Sequence, residues 1–273
     1  MAAAGTGIEI RGGDAVPSNR ASGASTQPSE VFPPTVPGNL WSPTHHEGVQ
    51  SCSTFVTVNW TASTDDDSGL AGYVGVWDTS PLTTPTVLAN IGPNATSYSL
   101  DIGSSTVARY FHLRGKDYAG NLGPTWHFGP VLANANSVST YCTGKTNSLG
   151  CVPTVSWSGT PDVSSGTFTV HCANVINNKN GLLYWGRAPA AAPFQGGFMC
   201  IASPTRRTQL QLSFGNSSGN SCTGSFDFTF TTSYMNQENI DPGNTIYCEF
   251  WMRDPAIAST TGLSNAIQFT VCE

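Results

Sequence analysis

Three groups of side chains in this 273-residue sequence have the types from which chemistry is built. The first is Gly215-Asn216-Ser217-Ser218-Gly219, which matches G-x-S-x-G, the frame of a nucleophilic serine. Such a serine needs a strand before it and a helix after it, so that its hydroxyl stands strained at a helix N-terminus. Here Asn220-Ser221-Cys222-Thr223-Gly224 and a strand-like Ser225–Phe230 follow, and His171 is the last histidine in the chain. The match is therefore read as chance in a sequence rich in Ser and Gly. The second group is His45-His46-Glu47. Neighbours on a strand face opposite ways and rarely share one ion, so a solvated loop is expected there. The third group is Tyr247, Glu249, Trp251 and Arg253, which project together from the strand face opposite Cys248. They offer an aromatic and charged stripe to a sugar or a protein. Glycoside hydrolysis needs paired carboxylates, but Asp162, Asp227, Glu238, Asp241, Glu249, Asp254 and Glu273 sit in no motif. No catalytic residue is assigned, and a protein that is not an enzyme is expected.

Composition narrows the class. Charged residues are only 10% of the chain, far below the usual quarter, so Ser, Thr, Asn and Gly must solvate the surface. Net charge is −6, and Arg206-Arg207 are the only adjacent bases, which argues against nucleic-acid binding. No apolar run is long enough to cross a bilayer, so membrane insertion is not expected. Eight cysteines without a C-x-x-C knuckle point to disulfides and an oxidising compartment. Met1 to Gly13 has no apolar signal core. Either the chain is the C-terminal part of a longer exported protein, or Met1 is not its native start.

The elements that must position these groups are strands. With 29 Gly and 18 Pro, turns are frequent and long helices are disfavoured. Residues 1–31 lack a hydrophobic period and read as a flexible lead-in. Thr54 to Thr61 puts Val56, Val58 and Trp60 on one face. Further strands are expected through Tyr73–Trp77 and at 86–89, 96–101, 109–116 and Trp126–Val131. The second half alternates at Phe168/Val170/Cys172, Leu210/Leu212/Phe214, Phe226/Phe228/Phe230, Ile246/Cys248/Phe250/Met252 and Ile267/Phe269/Val271. The fold class is all-β, two tandem antiparallel β-sandwich domains. They are placed at 32–134 and 141–273, with 135–140 as linker.

Val58-Asn59-Trp60, Gly72-Tyr73, Tyr110-Phe111-His112-Leu113-Arg114 and Asp117-Tyr118-Ala119-Gly120-Asn121 resemble a bacterial fibronectin type III domain over residues 32–134. The resemblance implies Trp60 on strand B and Tyr73 on strand C. Arg109 stands where the family has an aromatic on strand F, which implies that the tyrosine corner is absent or rebuilt from Tyr110. In such a sandwich the B–C and F–G loops emerge at one end. Asp65, Asp67, Asp117 and Asn121 are then candidate calcium ligands, the one cofactor considered, against the alternative of Asx turns. The blocks Tyr141–Cys151, Asn177–Tyr184, Pro193–Gly197 and Tyr247–Pro255, with Ile267–Cys272, resemble a recurrent cysteine-containing C-terminal domain of exported bacterial proteins whose function is uncharacterised. That resemblance implies a secreted or surface setting.

Economy of loop closure suggests the pairs Cys142–Cys151, Cys200–Cys222 and Cys248–Cys272. Cys52 and Cys172 are left over. A bridge between them would lock the domains together; the preferred reading makes Cys172 a buried apolar residue and leaves Cys52 free. The expected role is extracellular adhesion, binding or spacing, with a protein or carbohydrate partner at the cell surface. An accessory carbohydrate-binding region of an extracellular hydrolase is the alternative, and a small secreted hydrolase the second.

Overall fold

In the computed structural model, residues 31–86, 88–135 and 137–273 are described; all of the lead-in except Val31 lies outside them. The first domain contains β1 (Gly38–Trp41), β2 (Gln50–Ser51), β3 (Phe55–Thr61), β4 (Leu70–Asp78), β5 (Ser97–Asp101), β6 (Arg109–Asp117) and β7 (Trp126–Ala133). One sheet has the order β1-β3-β5 and the other β2-β7-β6-β4. All pairings are antiparallel except β2 with β7. This is the A-B-E and C-F-G order of fibronectin-like and immunoglobulin-like sandwiches. Alternation along β3 sends Val56, Val58 and Trp60 inward, where they meet Tyr73, Phe111, Leu113 and Phe128. Trp60 packs edge-on against Tyr73 at 5.4 Å, and the Tyr73 hydroxyl accepts the Ser63 N–H at 2.9 Å. The strand expected at 86–89 is not formed at 86, 88 or 89, and Val87 lies outside the described residues. The chain instead joins β4 through the Asn90 side chain, which exchanges two hydrogen bonds with the Gly75 peptide at 2.8 and 2.9 Å.

The second domain contains β8 (Val138–Tyr141), β9 (Thr154–Ser158), β10 (Phe168–Val175), β11 (Asn180–Gly186), β12 (Pro189–Phe194), β13 (Gly197–Ile201), β14 (Arg206–Arg207), β15 (Gln211–Leu212), β16 (Gly224–Phe230), the short helix α1 (Thr232–Gln237), β17 (Thr245–Arg253) and β18 (Thr261–Thr270). Its sheets, β9-β10-β16 and β8-β18-β17-β11, repeat the strand order of the first domain. Two differences matter. Residues 138–140 of the segment read as a linker are strand: β8 runs antiparallel to the edge of β18. Between β11 and β16 the chain also inserts the β12–β13 hairpin and two short strands, β14 and β15, that pair with β11. Phe168, Val170, Phe226 and Phe230 from one sheet meet Phe250, Ile267 and Phe269 from the other in a continuous core.

None of the expected disulfide pairs forms. The bridges are Cys52–Cys272, Cys142–Cys200 and Cys151–Cys222, with Cα separations of 5.5, 6.2 and 6.5 Å. Cys142 and Cys151 bond to partners elsewhere, and the turn before Cys151 is closed by the Asn147 side chain, which accepts the Leu149 and Cys151 N–H groups, each at 3.0 Å. Cys248 is not bridged at all. It points with Phe250 and Met252 into the core, as does Cys172, and both thiols are buried. Burial pushes both thiol pKa values far up, so these cysteines behave as small apolar residues. Cys52, expected to be free, is the residue that joins the domains, with Cys272 rather than Cys172 as its partner.

Around that bridge, Glu273 N–H donates to Gln50 O at 2.9 Å, and His46 N–H donates to Glu273 Oε1 at 2.7 Å. The His45-His46-Glu47 loop is therefore structural rather than merely solvated. His45 Nε2 bonds Ser53 O at 2.9 Å, and Glu47 Oε1 accepts the Gly129 N–H at 2.7 Å. Closing a span of 220 residues removes about 5 kcal/mol of unfolded-state entropy in the chain-entropy picture. The double variant Cys52→Ser/Cys272→Ser should keep both cores, with the aromatic bands of the near-UV circular dichroism retained. Its small-angle scattering should show a larger maximum dimension as the domains reorient; an unchanged scattering profile would show that the polar contacts alone hold them.

Candidate functional site: a roofed groove on the second domain

The outer face of the sheet containing β11, β17 and β18 carries the candidate site. Strand register places Arg207, Tyr184, Glu249, Ala266 and Tyr141 in one row across β14, β11, β17, β18 and β8. The next row pairs Leu182 with Trp251 and Trp251 with Leu263. Over this face lies the β12–β13 hairpin. Its turn residues, Gln195 (φ 47°) and Gly196 (φ 79°), both take positive φ, the requirement of a two-residue type I′ turn.

The hairpin is pinned at both ends. At its base, the Cys200 peptide is held from two sides: its N–H donates to Glu249 Oε2 at 2.8 Å, and its carbonyl accepts the Tyr141 hydroxyl at 2.6 Å. The Cys142–Cys200 bridge adds a covalent tie. At the tip, the nearly buried Lys145 ammonium donates to Gln195 O and Thr261 O, each at 2.7 Å, and to Ser259 Oγ at 2.5 Å. Between sheet and hairpin is a cavity of about 360 Å³. Leu182, Tyr184, Phe194, Met199 and Trp251 give it an apolar and aromatic lining, and Gln195, Thr205 and Arg207 supply polar groups.

Glu249 is fully buried beside this cavity's Tyr184. Desolvation raises its pKa to about 7, opposed by the hydrogen bond from Cys200 N–H and by the Tyr184 hydroxyl. That hydroxyl lies against the carboxylate without reaching good hydrogen-bond geometry, so Tyr184 Oη and Glu249 Oε1 each lack a well-formed partner. The pKa values of Tyr184 and Tyr141 are driven upward, first by burial and then by neighbouring acidic groups, so both phenols stay protonated as donors. Because Glu249 titrates higher folded than unfolded, its contribution to stability is full below about pH 4.5 and is lost as pH rises toward 7. The loss is about 3 kcal/mol on the alkaline side. Glu249→Gln should therefore match the wild-type melting temperature near pH 4 and exceed it at pH 8; a difference independent of pH would contradict a buried titrating carboxyl.

The structure treats the expected stripe unequally. Trp251 lines the cavity, and Glu249 anchors the hairpin beside it. Tyr247 instead packs edge-on against Tyr141 at 5.8 Å, and the Arg253 guanidinium lies 6.0 Å from the Trp251 ring centre. Sequence reasoning missed Tyr184, Leu182, Phe194, Met199 and Arg207. The available signal was the Phe194-Gln195-Gly196-Gly197 turn, which foretells a hairpin but not where it folds.

Of the candidate calcium ligands, Asp65, Asp117 and Asn121 make local hydrogen bonds. Asp65 Oδ1 accepts the Gly69 N–H at 2.7 Å. Asp117 Oδ1 accepts the Gly120 and Asn121 N–H groups at 2.6 and 2.7 Å, and its Oδ2 accepts Asn121 Nδ2 at 2.8 Å. Among the described residues, no group of three or more His, Cys, Asp or Glu is placed to hold a metal ion. The bonds at Asp65 and Asp117 are those of Asx turns; if turn formation is their role, chelator should leave the melting temperature unchanged, and a fall reversed by added Ca²⁺ would favour the cation reading. The Gly215–Gly219 motif lies in a loop followed by β16, without the helix a nucleophile elbow needs.

No protein-family model and no curated protein matches the chain, so the expected resemblance of its second half to a domain of exported bacterial proteins has no counterpart there. Among solved structures it is similar to the FN1–FN3 domains of chicken CNTN1, at 12% identity and TM-score 0.27, covering 88% of this chain and 69% of that one. It is similar to a two-domain fibronectin type III segment of chicken tenascin, at 9% identity and TM-score 0.29, covering 87% and 99%. A third is the chitinase ChiA74 of Bacillus thuringiensis, at 16% identity and TM-score 0.27, covering 73% of this chain and 27% of the chitinase. The sandwich architecture of both domains follows from their strand order.

Proposed function

We propose that the chain is an extracellular binding module in which two sandwich domains, tied by Cys52–Cys272, present the groove under the β12–β13 hairpin to a carbohydrate. The observation that carries this reading is the cavity itself. An aromatic and apolar lining with a few polar groups suits a ligand that has one apolar face and a hydrogen-bonding edge, as a saccharide ring does. Three disulfides support an oxidising, extracellular location, and no described helix is long and apolar enough to cross a membrane. None of the cavity's lining residues is a carboxylate, so it offers no acid–base pair for glycoside hydrolysis.

Titration with a panel of oligosaccharides, followed by tryptophan fluorescence, tests the proposal. Trp251→Ala should weaken the binding at least tenfold, in line with the loss of a stacked aromatic contact of about 1.5 kcal/mol. Trp157→Ala, an exposed residue of the other sheet, should leave it unchanged. Binding that survives Trp251→Ala would move the site elsewhere, and a panel without binders would favour a spacer or protein-adhesion role.

A further inference from the structure

A second constellation lies on the opposite sheet of the second domain, and it owes nothing to the groove. Val170, Cys172 and Phe226 point into the core, so the alternating residues Thr169, His171 and Asp227 face outward. His171 stands directly opposite Asp227 on β16 and Ser156 on β9. Ser158 pairs with Thr169 and so reaches His171 along the diagonal. The Ser158 hydroxyl lies 2.8 Å from His171 Nε2, and His171 Nδ1 lies 2.6 Å from Asp227 Oδ1.

This geometry fixes the tautomer. Asp227 accepts the Nδ1 proton, which leaves Nε2 bare to accept the proton of Ser158. The three groups thus stand in the order acid, base and nucleophile. No G-x-S-x-G surrounds Ser158, whereas the Ser217 that has the motif lies in a loop beyond the last histidine of the sequence. The site is open: the side chains of His171 and Asp227 keep 36% and 64% of their exposure. Its neighbours Ser156, Ala173 and Thr229 are small and exposed.

We propose that Ser158 is a nucleophile activated by His171 and Asp227, acting on carboxylic esters of small acyl groups that are displayed where an open sheet face can meet them. Ser158 Oγ would form a bond to the acyl carbon while its proton passes to His171 Nε2. The carbon–oxygen bond to the alcohol then breaks, and the alcohol leaves with that proton. Water, deprotonated by the same nitrogen, hydrolyses the acyl-serine, releases the carboxylic acid and restores Ser158. No oxidant, reductant or further reactant is consumed. The exposed relay lacks the dry surroundings that strengthen electrostatic catalysis, which favours activated esters and modest rates.

The test uses the whole chain with p-nitrophenyl acetate and a fluorophosphonate. One adduct should form and map to the peptide containing Ser158. Ser158→Ala and His171→Gln should each lower nitrophenolate release about 10²-fold, the scale of a lost acid–base contribution. Asp227→Asn should lower kcat more than it raises KM, and Asp227→Glu should recover part of the loss, which a merely structural role for this exposed residue would not produce. Absence of an adduct at Ser158, or a Ser158→Ala variant as fast as wild type, would overturn the proposal.

Discussion

The groove depends on one residue. At Cys200 the backbone N–H is taken by the buried Glu249 carboxyl, the carbonyl is taken by the Tyr141 hydroxyl, and the side chain is bonded to Cys142. Three elements far apart in sequence, β8, β13 and β17, converge there. Without these ties the base of the inserted hairpin would be loose, held only at its tip by Lys145; with them it becomes a roof, and the space beneath it becomes a cavity. Glu249 is costly to bury, and its raised pKa records that cost. What it provides is an acceptor for a backbone donor that would otherwise be buried without one.

The two domains reach the same strand order by different means of stabilisation. The first is held by Val56, Val58, Trp60, Tyr73 and Phe111, and contributes only Cys52 to a disulfide, across to the second. The second carries a phenylalanine-rich core, and its two internal disulfides fasten loops and the hairpin rather than the core strands. Its unpaired cysteines, Cys172 and Cys248, are the ones that sit in that core. In this chain covalent bonds hold what packing does not reach.

Much of this was legible from alternation alone. Val56, Val58 and Trp60 face the core as their spacing requires, as do Phe168 and Val170, and Glu249 and Trp251 share a face opposite Cys248. Period two fixes the face of a residue but not what lies above that face. The hairpin that turns Trp251 into a cavity wall is positioned by contacts of long sequence separation. The cysteine pairs failed for the same reason. Nearness in sequence suggested Cys142 with Cys151, whereas the bonded partners lie 58, 71 and 220 residues apart. The Ser158–His171–Asp227 cluster was equally hidden, because it is assembled by register across three strands and leaves no motif in any one of them.

The most direct test of the clamp is residue-resolved hydrogen exchange at the Cys200 amide in the oxidised chain at neutral pH. If Glu249 holds that N–H in a buried hydrogen bond, it should exchange as slowly as the amides of the central strand β17. Exchange at the rate of an open loop would show that the hairpin is not fastened to the sheet, and that the groove beneath it is not a formed site.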